Sequence, residues 1–174
     1  MMAQQGDHIL GIYSKEKNEF DDVVSFLHEG IDNNEVLLLI TDYVEKDEIR
    51  KKLGNAWNID LKKLECSLDV VIRKPEEFYA PEGSIDALNL ERFLEEFVHF
   101  AVNKGKSGIR IFGSHHVIMK NGLVTEMMHL ESRFEKKFEL PITALCAYMK
   151  EDIESLDKSQ FETLKEHHLT IREM

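Results

Sequence analysis

The sequence is poor in cysteine, which cross-links a chain, and in proline and glycine, which interrupt helices and strands. It contains two cysteines, three prolines and nine glycines in 174 residues. The two cysteines, Cys66 and Cys146, are far apart and form no Cys-x-x-Cys motif, so neither a disulfide framework nor a Cys-rich zinc site is indicated. Because so few prolines and glycines leave no material for a long linker, we expect one domain spanning residues 1–174.

Positive charge and long apolar runs are also scarce. The chain has 22 Lys and Arg against 33 Asp and Glu, a net charge of −11. Nucleic acids and anionic membranes are bound mainly through Lys and Arg. The longest purely apolar run, residues 36–40, is far shorter than the ~20 residues of a membrane helix, and the N-terminus does not resemble a signal peptide. We therefore expect a cytoplasmic protein that binds neither nucleic acid nor membrane.

Short apolar runs of strand length alternate with amphipathic stretches along the whole chain. Such alternation is typical of βαβ units, so we predict a three-layer α/β fold with a mostly parallel central sheet and helices on both faces. The predicted strands are residues 8–13, 36–41, 68–72, 109–112 and 142–149. The predicted helices are residues 20–31, 42–54 (capped by Asp42), 86–105, 123–138 and 157–168, with a loop over 75–83.

Two charged residues fall where apolar residues are expected. On the predicted helix 123–138, Glu131 projects into the middle of the apolar face. A buried carboxylate must be paired or protonated, because an isolated buried charge is costly. Arg110 lies inside an apolar strand and cannot lose its charge. We expect the two to meet, or both to face a polar pocket; the alternative is that each reaches solvent by snorkelling.

A histidine and a cysteine also lie on predicted strands. His8 leads into the first strand, and Cys146 and Tyr148 share a face of the last strand. A Cys near a His can be a nucleophile pair or half of a metal site, whereas Cys146 among small apolar neighbours is also typical of a buried hydrophobe. Neither the His115-His116 pair nor the His167-His168 pair indicates a metal-ligand set. Adjacent residues of an extended chain, such as His115 and His116, point in opposite directions. Histidines at the end of a helix, such as His167 and His168, interact favourably with the helix dipole without any further role. We therefore assign no metal ion, cofactor or catalytic residue.

The junction after the first predicted strand lacks a phosphate-binding loop. Residues 14–19 contain two glutamates and no glycine. A Gly-rich loop such as GxxxxGK[ST] would allow backbone N–H groups to approach the phosphates of a nucleotide. Hydrolysis of ATP or GTP by the usual mechanism is therefore not expected.

Several of these stretches, in this order, resemble the MEDS family, the methanogen and methylotroph sensory domain. The matching stretches are residues 8–13, 26–31, 35–40 and 108–111, then Glu131 on its helix, then residues 145–148. The resemblance covers about residues 8–168 and implies a fold similar to RecA and KaiC-type ATPases without a working P-loop. The sequence departs from the family at residues 114–116, which follow the Arg110 strand, and at His167-His168, where the family tends to have His-Pro.

The resemblance implies a non-enzymatic sensor of simple hydrocarbon derivatives such as methylated compounds. The family's characteristic positions fall on His8, Arg110, Glu131, Cys146 and Tyr148. Members are often joined to histidine kinases or DNA-binding helices, and neither is evident in this sequence. The expected recipient of a signal is therefore a separate histidine kinase or regulator chain, or a second copy of the protein in a homo-oligomer.

We therefore expect a small-molecule sensory domain whose ligand binds at the carboxyl-terminal edge of the strands. The residues expected to contact the ligand are His8, Tyr13, Arg110, Glu131, Cys146 and Tyr148. The main alternative is either a degenerate RecA-like nucleotide-binding protein or an enzyme that uses Cys146 with His8. A third interpretation is a structural module that self-associates without a ligand.

Overall fold

The computed structural model describes residues 3–14, 19–42 and 46–173. The strands within these ranges are β1 (His8–Tyr13), β2 (Val36–Ile40), β3 (Val70–Arg73), β4 (Ile109–Ser114), β5 (Ile142–Met149) and β6 (Thr170–Glu173). The longer helices are α1 (Glu19–Asp32), α2 (Lys46–Trp57), α5 (Ala87–Asn103), α7 (Val124–Glu131) and α9 (Lys158–His167). The short helices are α3 (Leu61–Cys66), α4 (Pro75–Tyr79), α6 (His116–Lys120) and α8 (Lys150–Ser155).

The strands form one parallel sheet in the order β3-β2-β4-β5-β1-β6. All five residues of β2 are buried, as expected for a strand covered on both faces. Helices α5, α7 and α9 pack on one face of the sheet, which we call the α7 face. Helices α1, α2 and α3 pack on the other, the α1 face. The predicted three-layer α/β fold with a parallel central sheet is confirmed.

The ends of two helices follow directly from polar residues in the sequence. The Asp86 carboxylate accepts a 3.0 Å hydrogen bond from the backbone N–H of Asn89 at the start of α5. Asp157 and Gln160 form a reciprocal capping box at the start of α9. Gly105, with φ of +83°, follows the end of α5 in a conformation that suits glycine.

The predicted helix 123–138 is wrong in its C-terminal half, because α7 ends at Glu131. The Ser132 hydroxyl donates to the His129 carbonyl at 2.8 Å, and the chain then turns so that Lys137 forms an antiparallel bridge with Asp7. Glu131 is therefore the last helical residue, and the segment that follows runs back past the start of β1. This turn closes the side of the site described below.

Two further differences from the sequence prediction concern short elements. The predicted loop 75–83 contains α4, for which Pro75 at the first helical position is favourable. The short strand β6 was not predicted, because most of its residues are exposed and no apolar alternation marks it. The predicted cap of α2, Asp42, accepts a 2.9 Å hydrogen bond from the Ser114 hydroxyl, and residues 43–45 between it and α2 lie outside the described residues. The junction without a phosphate loop is residues 14–19, of which 15–18 also lie outside them. No helix in the described part of the chain is both long and apolar enough to span a membrane.

Candidate functional site

A small cavity of about 50 Å3 lies on the α7 face of the sheet. Its walls are mainly apolar and come from α5, from the sheet and from the turn after α7, whereas its polar groups cluster on one side. The apolar lining residues are Ile40, Phe78, Leu90, Leu94, Ile111, Leu130, Phe134, Phe138 and Ala144. The remaining lining residues are His8, Tyr79, His115, Glu131 and Cys146.

Glu131 is the centre of the polar side, and only 2% of its surface is exposed. Its Oε1 accepts a 2.6 Å hydrogen bond from the Tyr148 hydroxyl. Its Oε2 lies 3.5 Å from His8 Nε2 and 3.7 Å from His168 Nε2. The prediction that Glu131 projects into the apolar face is confirmed, and snorkelling is excluded for this residue. We call His8, Glu131, Cys146 and His168 the Glu131 cluster.

Backbone carbonyls orient both imidazoles of the Glu131 cluster. His8 Nδ1 lies 2.7 Å from the His167 carbonyl oxygen, and His168 Nδ1 lies 2.7 Å from the Leu164 carbonyl oxygen. The two rings are packed together with centroids 3.9 Å apart. Because a carbonyl can only accept, each ring carries a proton on Nδ1 and turns Nε2 toward Glu131.

Burial and mutual charge set the protonation of these groups. Burial lowers the pKa of His115 and of His168 to about 4, although the nearby Glu131 carboxylate opposes this shift. Burial alone would raise the pKa of Glu131, but His168, His8 and His115 together lower it below its ordinary value. At neutral pH the cluster therefore holds a carboxylate, while His115 and His168 are uncharged.

Cys146 faces the same cavity, with its Sγ 3.4 Å from His8 Nε2. Cys146 and Tyr148 share this face of β5, as predicted. Burial, followed by the Glu131 carboxylate, raises the pKa of the Cys146 thiol well above its ordinary value. These surroundings favour the protonated thiol over the thiolate, which is the nucleophilic form.

Arg110 lies on the opposite side of the sheet, so the expectation that it meets Glu131 is wrong. Its Nε donates to Glu35 at 2.6 Å, and its Nη1 donates to Glu29 and to the Phe26 carbonyl oxygen, each at 3.2 Å. Its side chain is fully buried, which also excludes snorkelling. Successive residues of a strand alternate between faces, and β4 turns Arg110 toward α1. Arg110 neutralises acidic residues of the α1 face and does not contact the cavity.

Tyr13 also packs on the α1 face, with Ile9 from the same strand. Of the six predicted site residues, the structure brings together His8, Glu131, Cys146 and Tyr148. The cavity lies over the face of the sheet, and His8, the first residue of β1, is one of its lining residues. It is therefore not confined to the carboxyl edge of the strands, where the ligand site was predicted.

Three cavity or cluster residues were missed by sequence reasoning: Tyr79, His115 and His168. His168 follows α9, and the backbone N–H of Leu169 donates to the His8 carbonyl at 2.7 Å, so the pairing of β6 with β1 brings the two histidines together. Without β6 this proximity could not be predicted. The only signal was the His167-His168 pair itself. His115 and His116 do point apart as predicted, since His116 contacts Asp152 at 2.7 Å instead of the cavity.

Solved structures similar to this chain share its fold at low sequence identity. A KaiC-like protein from Pyrococcus horikoshii is 13% identical with a TM-score of 0.57, and the match covers 84% of this chain. The chain spans 62% of the length of that protein. The flagellar accessory protein FlaH from Methanocaldococcus jannaschii is 14% identical with a TM-score of 0.52, over 97% of this chain and 71% of FlaH. At these identities the likeness shows a RecA-like fold and nothing about activity.

Sequence comparison with protein families gives a more specific result. No curated protein matches the sequence significantly. The family described as the methanogen/methylotroph, DcmR sensory domain matches residues 7–168, which contain the cavity and the whole Glu131 cluster. The chain therefore belongs to the MEDS family of sensory domains.

Proposed function

We propose that this chain is a sensory domain that binds one small molecule, a simple hydrocarbon or methylated derivative, in the cavity of the α7 face without transforming it. The observation that carries the proposal is the cavity itself: about 50 Å3, apolar walls and polar groups on one side. A cavity needs ~10–15 Å3 of accessible volume to hold one water molecule, so this volume suits a ligand of a few non-hydrogen atoms. Apolar walls with a few convergent polar groups are typical of ligand sites.

The polar side of the cavity favours recognition over catalysis. Glu131 and the neutral His115 offer hydrogen-bonding groups to a ligand, and Tyr148 holds the carboxylate in place. The half-buried Cys146 is surrounded by groups that favour its protonated form. Membership of a sensory family agrees with binding as the function of this cavity.

A sensor also needs a surface that changes when the ligand binds. Leu90 and Leu94 of α5 form part of the cavity wall, while Phe93 and Phe100 of the same helix are exposed, at 40% and 38%. A ligand that favours one position of α5 would shift this aromatic surface as well. We propose α5 as the output element, which a separate regulator chain or a second copy would contact.

A thermal-shift experiment tests the proposal with methanol, methylamine and dimethyl sulfide as probes, with and without a chelator. A probe at 100 times its Kd stabilises the folded state by ~2.7 kcal/mol, which is readily measured. Ala144→Val adds volume at the cavity wall and should abolish the shift. Ala147→Val adds the same volume on the α1 face of the same strand and should leave the shift unchanged. Equal ligand-induced thermal shifts in the two variants would mean that the probe binds outside this cavity.

The same screen tests the alternative functions that the sequence left open. The RecA-like fold of the structural neighbours is the observation that favours nucleotide binding. Stabilisation by Mg-ATP, with no effect of the one-carbon probes, would replace our proposal with that alternative. Rapid alkylation of Cys146 at neutral pH in a Cys66→Ser background would instead support the Cys146–His8 enzyme.

A further inference from the structure

Four metal-ligating side chains from four different elements converge beside the cavity. His8 comes from β1, Glu131 from the end of α7, Cys146 from β5 and His168 from the residue after α9. One ligand atom of each lies within 4.8 Å of those of the other three. All but the half-buried Cys146 are almost completely shielded from solvent.

Three of the six separations among these atoms match those of a tetrahedral metal centre, and all six are within 4.8 Å. Ligand bonds of ~2.0–2.3 Å place the ligand atoms of a tetrahedral ion ~3.3–3.8 Å apart. The observed separations from His8 Nε2 are 3.4 Å to Cys146 Sγ and 3.5 Å to Glu131 Oε2. His168 Nε2 lies 3.7 Å from the same carboxylate oxygen.

The orientation of the ligands is a second, independent observation. Both histidines turn Nδ1 to a backbone carbonyl, so both Nε2 atoms face the carboxylate oxygen Oε2. The buried Nε2 of His168 has no hydrogen-bond partner among the described residues. When both rings are neutral, three acceptors face one another, and the single S–H of Cys146 can satisfy only one of them. A cation at their centre would satisfy all of them.

The groups around the four ligands resemble the surroundings of known metal sites. Ligating histidines commonly donate their second N–H to a backbone carbonyl, which fixes the tautomer, and ligating carboxylates are themselves hydrogen-bonded. Here the carbonyl oxygens of His167 and Leu164 accept from the histidines, and the Tyr148 hydroxyl donates to Oε1 of Glu131. Oε2 therefore remains directed at the histidines.

We propose that His8, Glu131, Cys146 and His168 bind one divalent transition-metal ion of the zinc class. Binding forms a bond from the ion to the Cys146 sulfur and releases the thiol proton to solvent. One thiolate, one carboxylate and two neutral imidazoles then balance the two positive charges of the ion. A thiolate with imidazoles selects such ions over Mg2+ or Ca2+, which prefer oxygen ligands.

This proposal goes beyond the proposed function and does not depend on it. Three of the four ligands also line the cavity, so the ion would form part of its polar side. A small molecule in the cavity would lie against the coordination sphere. The metal site can exist whether or not a methylated compound binds, and the two are therefore tested separately.

Titration of the reduced, metal-free chain with Co2+ tests the site. We expect binding of one equivalent, with the strong visible absorption of tetrahedral cobalt and a thiolate-to-cobalt charge-transfer band. Cys146→Ser should lose that band, whereas the matched variant Cys66→Ser, at an exposed cysteine, should keep it. His168→Gln should weaken Co2+ binding by at least ~10-fold, and His129→Gln, at an exposed histidine, should not.

A measurement without substitutions in the cluster guards against variants that do not fold. In the Cys66→Ser protein, saturating Zn2+ should slow alkylation of Cys146 and raise Tm, and a chelator should reverse both effects. An unchanged alkylation rate with Zn2+, or wild-type protein that binds no Co2+, would overturn the proposal. So would a charge-transfer band that persists in folded Cys146→Ser.

Discussion

The hydroxyl of Tyr148 donates a 2.6 Å hydrogen bond to Oε1 of Glu131, and both residues are buried. The bond joins the middle layer of the fold to the last residue of α7. It also fixes which carboxylate oxygen is directed at His8 and His168. The orientation of the whole Glu131 cluster therefore depends on one contact between a strand and a helix.

A double-mutant cycle of Tyr148→Phe and Glu131→Gln should show strong coupling between these two residues. Hydrogen bonds to charged groups contribute ~1.5–3 kcal/mol, so Tyr148→Phe alone should lower the free energy of unfolding by about that amount. In the Glu131→Gln background the cost should be smaller, because the charge is absent. Urea denaturation in the presence of a chelator measures all four proteins. Additive effects would mean that the hydroxyl does not stabilise the carboxylate.

Arg110→Met should be among the most destabilising substitutions on the α1 face. It removes the guanidinium that lies 2.6 Å from the buried Glu35 carboxylate, and such losses cost ~3–5 kcal/mol. Arg50→Met is the matched control, because Arg50 is partly exposed and its ion pairs with Glu65 and Asp47 lie nearer the surface. The control should cost ~1 kcal/mol or less in urea denaturation.

The Arg110→Met protein should also gain stability as the pH falls. Burial already raises the pKa of Glu35 above 4.5, although Arg110 opposes the shift. Without Arg110 the pKa rises further, so the native state retains a proton that the unfolded state releases between 4.5 and the raised value. Stability in that window therefore falls as the pH rises. If the free energy of unfolding of Arg110→Met lies below that of wild type by the same amount at pH ~5 and pH ~7, this account is contradicted.

Residue types and spacing were sufficient to predict the fold and the buried position of Glu131. The alternation of elements predicted the parallel sheet, and helical periodicity placed Glu131 in the apolar face. The partner of Arg110 could not be predicted in the same way. The sequence shows that Arg110 and Glu131 are both buried charges, but it does not show that the sheet lies between them. His168 was missed because the contact that brings it to His8 depends on β6, a short edge strand without an apolar pattern.

Gly113→Ala should destabilise the protein through a steric clash beside the cavity. A Cβ at this position would lie 2.2 Å from the Tyr79 hydroxyl oxygen, and the Tyr79 ring packs against His115 at a centroid distance of 5.0 Å. Overpacking of this kind costs ~1–3 kcal/mol. Gly54→Ala is the control, since its Cβ would lie 3.3 Å from the Ile59 carbonyl oxygen in a helix that favours alanine. Equal Tm values for the two variants would contradict the clash.

Asp69→Asn should remove a pH-dependent part of the stability. The Asp69 Oδ1 lies 2.6 Å from Lys104 Nζ and 3.1 Å from Lys106 Nζ, and the Ser67 hydroxyl donates to Oδ2 at 2.8 Å. Burial raises the pKa of Asp69, but these three partners outweigh it and lower the pKa below 3.8. The unfolded state therefore binds the proton first as the pH falls, so this stabilisation is present above pH 3.8 and is lost below it.

Urea denaturation over a series of pH values distinguishes this ion-pair effect from a loss of packing at Asp69. The difference between wild type and Asp69→Asn should be ~1 kcal/mol at neutral pH and should shrink as the pH falls through the lowered pKa. Asp60→Asn is the control: this carboxylate caps α3 by accepting from the Lys63 N–H at 3.2 Å, and Asn caps helices equally well. A deficit of Asp69→Asn that persists unchanged into acid would show that packing, and not charge, makes Asp69 stabilising.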